Sequence, residues 1–378
     1  MYLLIQTVLP AAMFAIGGVP PVALTAAPIS LQVDDVSSVD PGTPPDPISE
    51  HLLYVCVQGD ASIAIIDMDV LEMPTLIRLT DLGLPAQSAP HDVAVAADGR
   101  NWYVSLVGDH RVLQFDEENR LVRTFEMETP GMVGLNPSGE LLVVSRSMSA
   151  TNPPRLVGFV RTIDMDLEEL DVVFPRPHAV ALGHDGRFAY TASLGTNQLA
   201  SVDLVSQAVE LVEVSGPPHA FVQLAISPDG ETLVASGELS GELVVFDLDD
   251  PARPEFTNSV ALGPRPFHPV FSPDGRTVWV PIKGADEVAI VETADWTVLD
   301  RIRGDGLRQP HAIEFSPDGG RAFVTNNAVE PGELIPGSGQ ASTTGARLIV
   351  IDTELREIES TLTLGQNLTG MGRRQVQR

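Results

Sequence analysis

The stretch SPDGGRAFVTNN, residues 316–327, pairs a tight turn with a short apolar strand. Asp-Gly between apolar alternations is a strong hairpin signal, because glycine supplies the positive φ that a tight turn requires. The same unit recurs along the chain. The turns Ala97-Asp98-Gly99, Pro137-Ser138-Gly139, His184-Asp185-Gly186, Pro228-Asp229-Gly230, Pro273-Asp274-Gly275 and Pro317-Asp318-Gly319 place their glycines 40 to 47 residues apart. An apolar run follows each of them, as in Trp102-Tyr103-Val104, Leu142-Val143-Val144 and Val278-Trp279-Val280. Tyr54-Val55 takes the same place with no turn before it.

A third strand then closes on an acidic residue: Ile66-Asp67, Phe115-Asp116, Ile163-Asp164, Val202-Asp203, Phe246-Asp247, Val291-Glu292 and Ile351-Asp352. A more variable fourth strand follows, as in Thr75-Leu76-Ile77-Arg78-Leu79. Four short strands at this period are the pattern of a β-propeller blade, and no helical periodicity separates them. The first repeat lacks its innermost strand, and Leu364 to Gln375 supplies an extra one at the far end of the chain. The spacing therefore predicts an all-β, seven-bladed propeller of four-stranded antiparallel blades over residues 51–378. Exchange of a strand between the N- and C-terminal ends closes it and removes the open sheet edge. The acidic residues and the turn aspartates, Asp229 among them, read as local caps and turn formers.

Phe323-Val324-Thr325-Asn326-Asn327, Ser316-Pro317-Asp318-Gly319 and Leu348-Ile349-Val350-Ile351-Asp352 resemble the YVTN family of β-propeller repeat proteins. That resemblance implies a secreted seven-bladed propeller, a fold shared with lactonase-like and nitrous-oxide-reductase-like propellers. It speaks to blades and not to chemistry.

Strands in a blade run outward from the axis. Links between blades therefore share one face with the loops between second and third strands, and the Asp-Gly turns take the other. Five of the eight histidines fall where a blade begins: His91, His178, His219, His268 and His311. A ring of neutral imidazoles at the channel mouth suits zinc, copper or iron, so these five are the candidate ligands of a divalent or copper ion. The alternative is that each ring hydrogen-bonds a neighbouring carbonyl and holds the crossing between blades. His91, His178 and His311 stand eight residues before their turn glycines, so they are expected to be equivalent. His268 and His219 stand seven and eleven before theirs and are expected to point elsewhere, since a one-residue slip reverses a strand side chain. Arg176, Arg265 and Arg308 accompany the histidines. They form either a rim for an anionic ligand or partner, or counter-charges for Asp60, Asp109, Asp286 and Glu287. Two longer loops, residues 146–155 and 328–346, belong to the same face.

The net charge of −28 over 378 residues argues against nucleic acid and against anionic lipid, and it favours a monomer. The one lysine, Lys283, has no physical account in composition alone. Cys56, the single cysteine, excludes a disulfide framework and reads as a small buried hydrophobe. Residues 1–27 are apolar, broken by Pro10, Pro20 and Pro21, and end in small residues, which reads as a signal peptide or an N-terminal anchor. Residues 28–50 read as a Pro/Asp-rich linker. These features predict a periplasmic or extracellular protein. No Gly-x-Ser-x-Gly elbow, His-Glu-x-x-His or phosphate-binding glycine loop occurs. The reading is an exported binding scaffold for a protein or small-molecule ligand, with no resident cofactor required. Its alternative is a metal-dependent lactonase-like hydrolase or oxidoreductase with a His-ligated ion at the channel mouth.

Overall fold

A computed structural model describes residues 50–72, 74–146, 154–327 and 345–374. Residues 1–27, the linker before Glu50 and most of the two long loops lie outside the described residues. Among the described residues, twenty-eight strands form seven antiparallel sheets of four, with only two 3-10 turns between them. Each sheet touches the next through its innermost strands, except that blade 6 meets blade 7 through its second strand, so the seven form a closed ring. Among the described residues no helix is long and apolar enough to cross a membrane.

Strand alternation builds the core. In Leu52–Val57, the second strand of blade 1, Leu52, Tyr54 and Cys56 face blade 2, whereas Leu53, Val55 and Val57 face blade 7. Every pair of neighbouring blades shares one such apolar cluster, seven in all among the described residues. Between blades 1 and 2 the rings of Tyr54, Trp102 and Phe115 stack in sequence, with centroids 4.4 and 4.1 Å apart. Cys56 is fully buried there, and burial pushes its thiol well above the ordinary value.

The six predicted turns each hold their glycine at a φ between +70° and +82°. Asp98, Asp185, Asp229, Asp274 and Asp318 each accept the backbone N–H two residues on. At the ends of third strands, Asp67, Asp116, Asp203, Asp247 and Asp352 do the same for the following turn. Blade 3 departs from the expected pattern. Its third strand, Leu156–Arg161, ends on Arg161, which pairs with Leu141, and Asp164 lies in the turn beyond.

Blade 1 is closed by Leu368–Arg373, which pairs with Leu52–Val57. The closing strand is shorter than the predicted segment, because Leu364 and Gly365 still belong to the outer strand of blade 7, Glu357–Gly365. Gly370 touches blade 2 so closely that a Cβ there would meet the Asp92 carboxylate and sit 2.6 Å from the His91 carbonyl oxygen. The Gly370→Ala variant is therefore expected to lose about 1–3 kcal/mol in urea unfolding at pH 7. An unchanged midpoint would show that the closing strand shifts freely, against this packing.

Candidate functional site

Every blade begins with one residue in the left-handed region: Ala89, Thr129, Arg176, Ala220, Arg265, Gln309 and Asn367, with φ between +48° and +59°. This repeated bend, costing roughly 1–2 kcal/mol at a non-glycine residue, turns the link inward. It also gives an alignment of the blades independent of the turns. The second residue beyond it is His91, Gly131, His178, Val222, Phe267, His311 or Thr369. His91, His178 and His311 are thus equivalent, His268 lies one place further on, and His219 lies before the bend.

A β-bulge follows in five blades and sets where these side chains go. In blade 2, His91 and Asp92 together oppose Ser105; in blade 7, His311 and Ala312 oppose Thr325. In blade 4 the bulge falls at His178. The structure brings His91, His178, His268 and His311 together. The His91 and His178 rings are 6.1 Å apart, and those of His268 and His311 are 4.5 Å apart. His268 was expected to turn away. The inner strand of blade 6 is only Val270–Phe271, so residues 267–269 escape strand register, and the His268 amide donates to the His311 carbonyl at 3.2 Å. His219 does leave the group: it stacks on Phe221, and its Nδ1 lies 2.9 Å from the Ser240 hydroxyl.

All four rings are buried, at 5–7% exposure. Burial holds His91 down at about 3 and His178 at about 4, and drives His268 and His311 well below the ordinary imidazole value. They are neutral at pH 7. His178 Nδ1–H donates to the Val222 carbonyl at 2.6 Å and ties blade 4 to blade 5. A chain of amides fixes His91. Asn327 donates to the Asn367 side-chain oxygen, Asn367 donates to Gln58 Oε1, and Gln58 Nε2 donates to His91 Nδ1 at 3.2 Å. The proton of His91 therefore sits on Nε2. Three buried ring nitrogens in the group, His91 Nε2, His268 Nε2 and His311 Nδ1, have no hydrogen-bond partner. A buried polar atom with no protein partner is one that a ligand or a water can satisfy. Among the described residues no group of three or more His, Cys, Asp or Glu has the geometry to hold a metal ion.

Sequence reasoning missed the charge beside this group. Lys283, the first residue after the second strand of blade 6, Thr277–Ile282, is half-buried. Its Nζ lies 4.3 Å above the centre of the Phe267 ring, and His311 packs against the same ring at 5.0 Å. Burial, then Arg265, lowers the Lys283 amine to about 8. Arg265 also reaches over Phe267, at 5.7 Å, while paired with Glu238 at 2.8 Å. The other predicted pairings resolve differently: Asp109 is bound by Arg111, and Glu287 by Arg301 and Arg303. Arg176 adds positive potential at His178, and the Arg308 amide donates to Asn326. Asp92, beside His91, accepts the Val133 amide at 3.0 Å, yet burial pushes its carboxyl up to about 8. Two surface clefts, of about 430 and 540 Å³, lie beside the Asp-Gly turns and contain none of the five histidines.

No protein-family model matches the chain, and no curated protein matches it. Solved structures do. The periplasmic gluconolactonase of Pseudomonas aeruginosa is 19% identical, with 86% of this chain and 99% of that one covered and a TM-score of 0.65. A functionally unknown protein from Desulfotomaculum acetoxidans is 14% identical over 86% and 99% of the two chains, with a TM-score of 0.67. Hydrazine synthase of Kuenenia stuttgartiensis is 18% identical over 74% and 88%, with a TM-score of 0.61. At these identities the likeness extends to the fold: the chain is a seven-bladed β-propeller of the architecture that gluconolactonase-like proteins share.

Proposed function

We propose that this chain is an exported binding propeller whose working surface is the channel mouth, and that it takes a small, neutral, polyhydroxylated ligand. The carrying observation is the set of three partnerless ring nitrogens, contributed by blades 2, 6 and 7, beside an apolar ring and one amine. Neutral imidazoles both donate and accept, which suits hydroxyl groups and offers no fixed charge. The net charge of −28 steers anions away, so a lactone or an aldose fits better than its carboxylate. The gluconolactonase among the structural neighbours supports the same ligand class, and its periplasmic location supports export.

Calorimetric titration with polyols, aldoses and lactones tests the reading. His311→Phe keeps a ring and removes both nitrogens, so it is expected to weaken binding by up to about tenfold. No heat with any of them, or unchanged affinity in the variant, would overturn the proposal. The gluconolactonase among the structural neighbours favours lactone hydrolysis at the same mouth as a second reading. Turnover of a lactone that disappears in His311→Phe would establish it. Metal analysis by plasma mass spectrometry, on protein purified without tag or chelator, separates the metal-dependent form. Stoichiometric zinc, copper or iron that is absent from the His178→Ala/His311→Ala variant would replace the binding reading.

A further inference from the structure

We propose that Lys283 is a nucleophilic amine that captures hydroxylated aldehydes and ketones at the channel mouth as an imine. This rests on the mouth being a ligand site and narrows its ligand to carbonyl compounds. Lys283 is the single lysine of the chain, and it stands at the histidine group rather than on the solvated surface. It makes no ion pair with a carboxylate among the described residues; its Nζ instead rests on the face of Phe267. An amine placed so is not held protonated by a carboxylate in contact with it, and burial with a nearby guanidinium favours the free base. Its backbone is fixed as well, since the Lys283 amide donates to the Arg265 carbonyl at 2.9 Å.

The chemistry closes on groups present. The Nζ lone pair attacks the carbonyl carbon, a C–N bond forms, and the π electrons pass to oxygen. The proton lost from nitrogen is passed on through His311, whose Nδ1 has no partner and whose ring packs against the same Phe267 ring on which the amine rests. His311 returns it to the oxygen, giving a carbinolamine. Expulsion of that hydroxyl as water leaves the C=N bond, so one amine and one carbonyl give one imine and one water.

The test uses the full chain, glycolaldehyde as the probe and cyanoborohydride to reduce the imine to a stable secondary amine. Peptide mass spectrometry then locates the adduct. Modification of Lys283 is expected about 100-fold faster than that of Nα-acetyllysine at pH 7. The chain's α-amine serves as the internal reference, and His311→Phe is expected to slow the Lys283 adduct about 10- to 100-fold while leaving that reference unchanged. Lys283 reacting no faster than the free amino acid, with the α-amine labelled, overturns the proposal. An unchanged rate in His311→Phe overturns the part assigned to His311. Sorbitol, which has no carbonyl, separates the two readings in calorimetry. Sorbitol binding without a Lys283 adduct sinks the imine and leaves the ligand site standing; the adduct without sorbitol binding keeps a site for carbonyl compounds and overturns the polyol reading.

Discussion

Stability is expected to fall by about 5 kcal/mol between pH 6.5 and pH 4.5, which would bring the propeller to the edge of unfolding. The cause is the group of four buried imidazoles, His91, His178, His268 and His311. An unfolded histidine takes up its proton near 6.5. In the fold, burial holds His91 at about 3, His178 at about 4 and the other two well below the ordinary value. Between those limits the unfolded chain binds more protons, so stability is present above 6.5 and is lost as the pH falls. Each ring contributes about 1.4 kcal/mol per pH unit. Two carboxyls oppose it. Burial pushes Asp92 up to about 8, so across this range the folded state keeps a proton that the unfolded state has released, and burial raises Glu314 as well. Four imidazoles against these carboxyls leave at least two net protons, or about 3 kcal/mol per pH unit or more. Urea unfolding at pH 7, 6, 5.5 and 5 reads this slope directly. His268→Gln/His311→Gln should lower the slope by about 3 kcal/mol per pH unit, and Asp92→Asn should steepen it. A flat stability between pH 7 and 5 would mean that these rings are solvated in the folded protein.

The blades were legible because their signals are local. An Asp-Gly turn with a strand alternating behind it declares itself within a dozen residues, and the period of repetition supplies the ring. The equivalence of His91, His178 and His311 was legible for the same reason: all three stand at one distance from their turns. His268 was not, because its position depends on blade 6 having an inner strand of only two residues, so the register rule did not apply to it. Nor was Asp164, since a third strand ending on Arg161 leaves the acidic residue to the turn. Lys283 had a visible signal in being the single lysine, yet nothing in its own loop says that the loop reaches over Phe267 from a neighbouring segment. Asp92 carried a weaker sign. An acidic residue directly after the blade-start histidine, in an otherwise apolar inner strand, marks a bulge that turns a carboxyl inward.

Removal of residues 366–378 is expected to abolish cooperative folding. Leu368–Arg373 is the strand that joins the two ends of the chain, and three blades depend on it. Within blade 1, the Gln58 and Gly59 amides donate to Asn367 and Gln366 carbonyls at 3.0 and 2.9 Å. From blade 7, the Thr325 hydroxyl donates to the Thr369 carbonyl at 2.8 Å and Asn327 to the Leu368 carbonyl at 2.8 Å. Toward blade 2, the Thr369 hydroxyl donates to the Pro90 carbonyl. Leu368 and Met371 are buried in the cluster between blades 7 and 1. Losing two such side chains costs about 2–5 kcal/mol each, a sum comparable to the whole stability of a typical domain. The loss would also bare the edge of Leu52–Val57, a strand buried along its full length, and such an edge templates aggregation. The other six blades draw their strands from one continuous stretch, whereas Val57 must find Leu368 across nearly the whole chain. Closure is therefore the contact whose loop entropy is largest, and it is expected to form last. A peptide of residues 366–378 added to the truncated chain should restore a cooperative thermal transition, with a midpoint that rises with peptide concentration. A truncated chain that unfolds cooperatively within a few degrees of the full one would show that the ring holds without its closing strand. The same truncation reaches the channel mouth, because Asn367 carries the amide chain that sets the proton on His91. Peptide binding should therefore restore ligand affinity together with the fold.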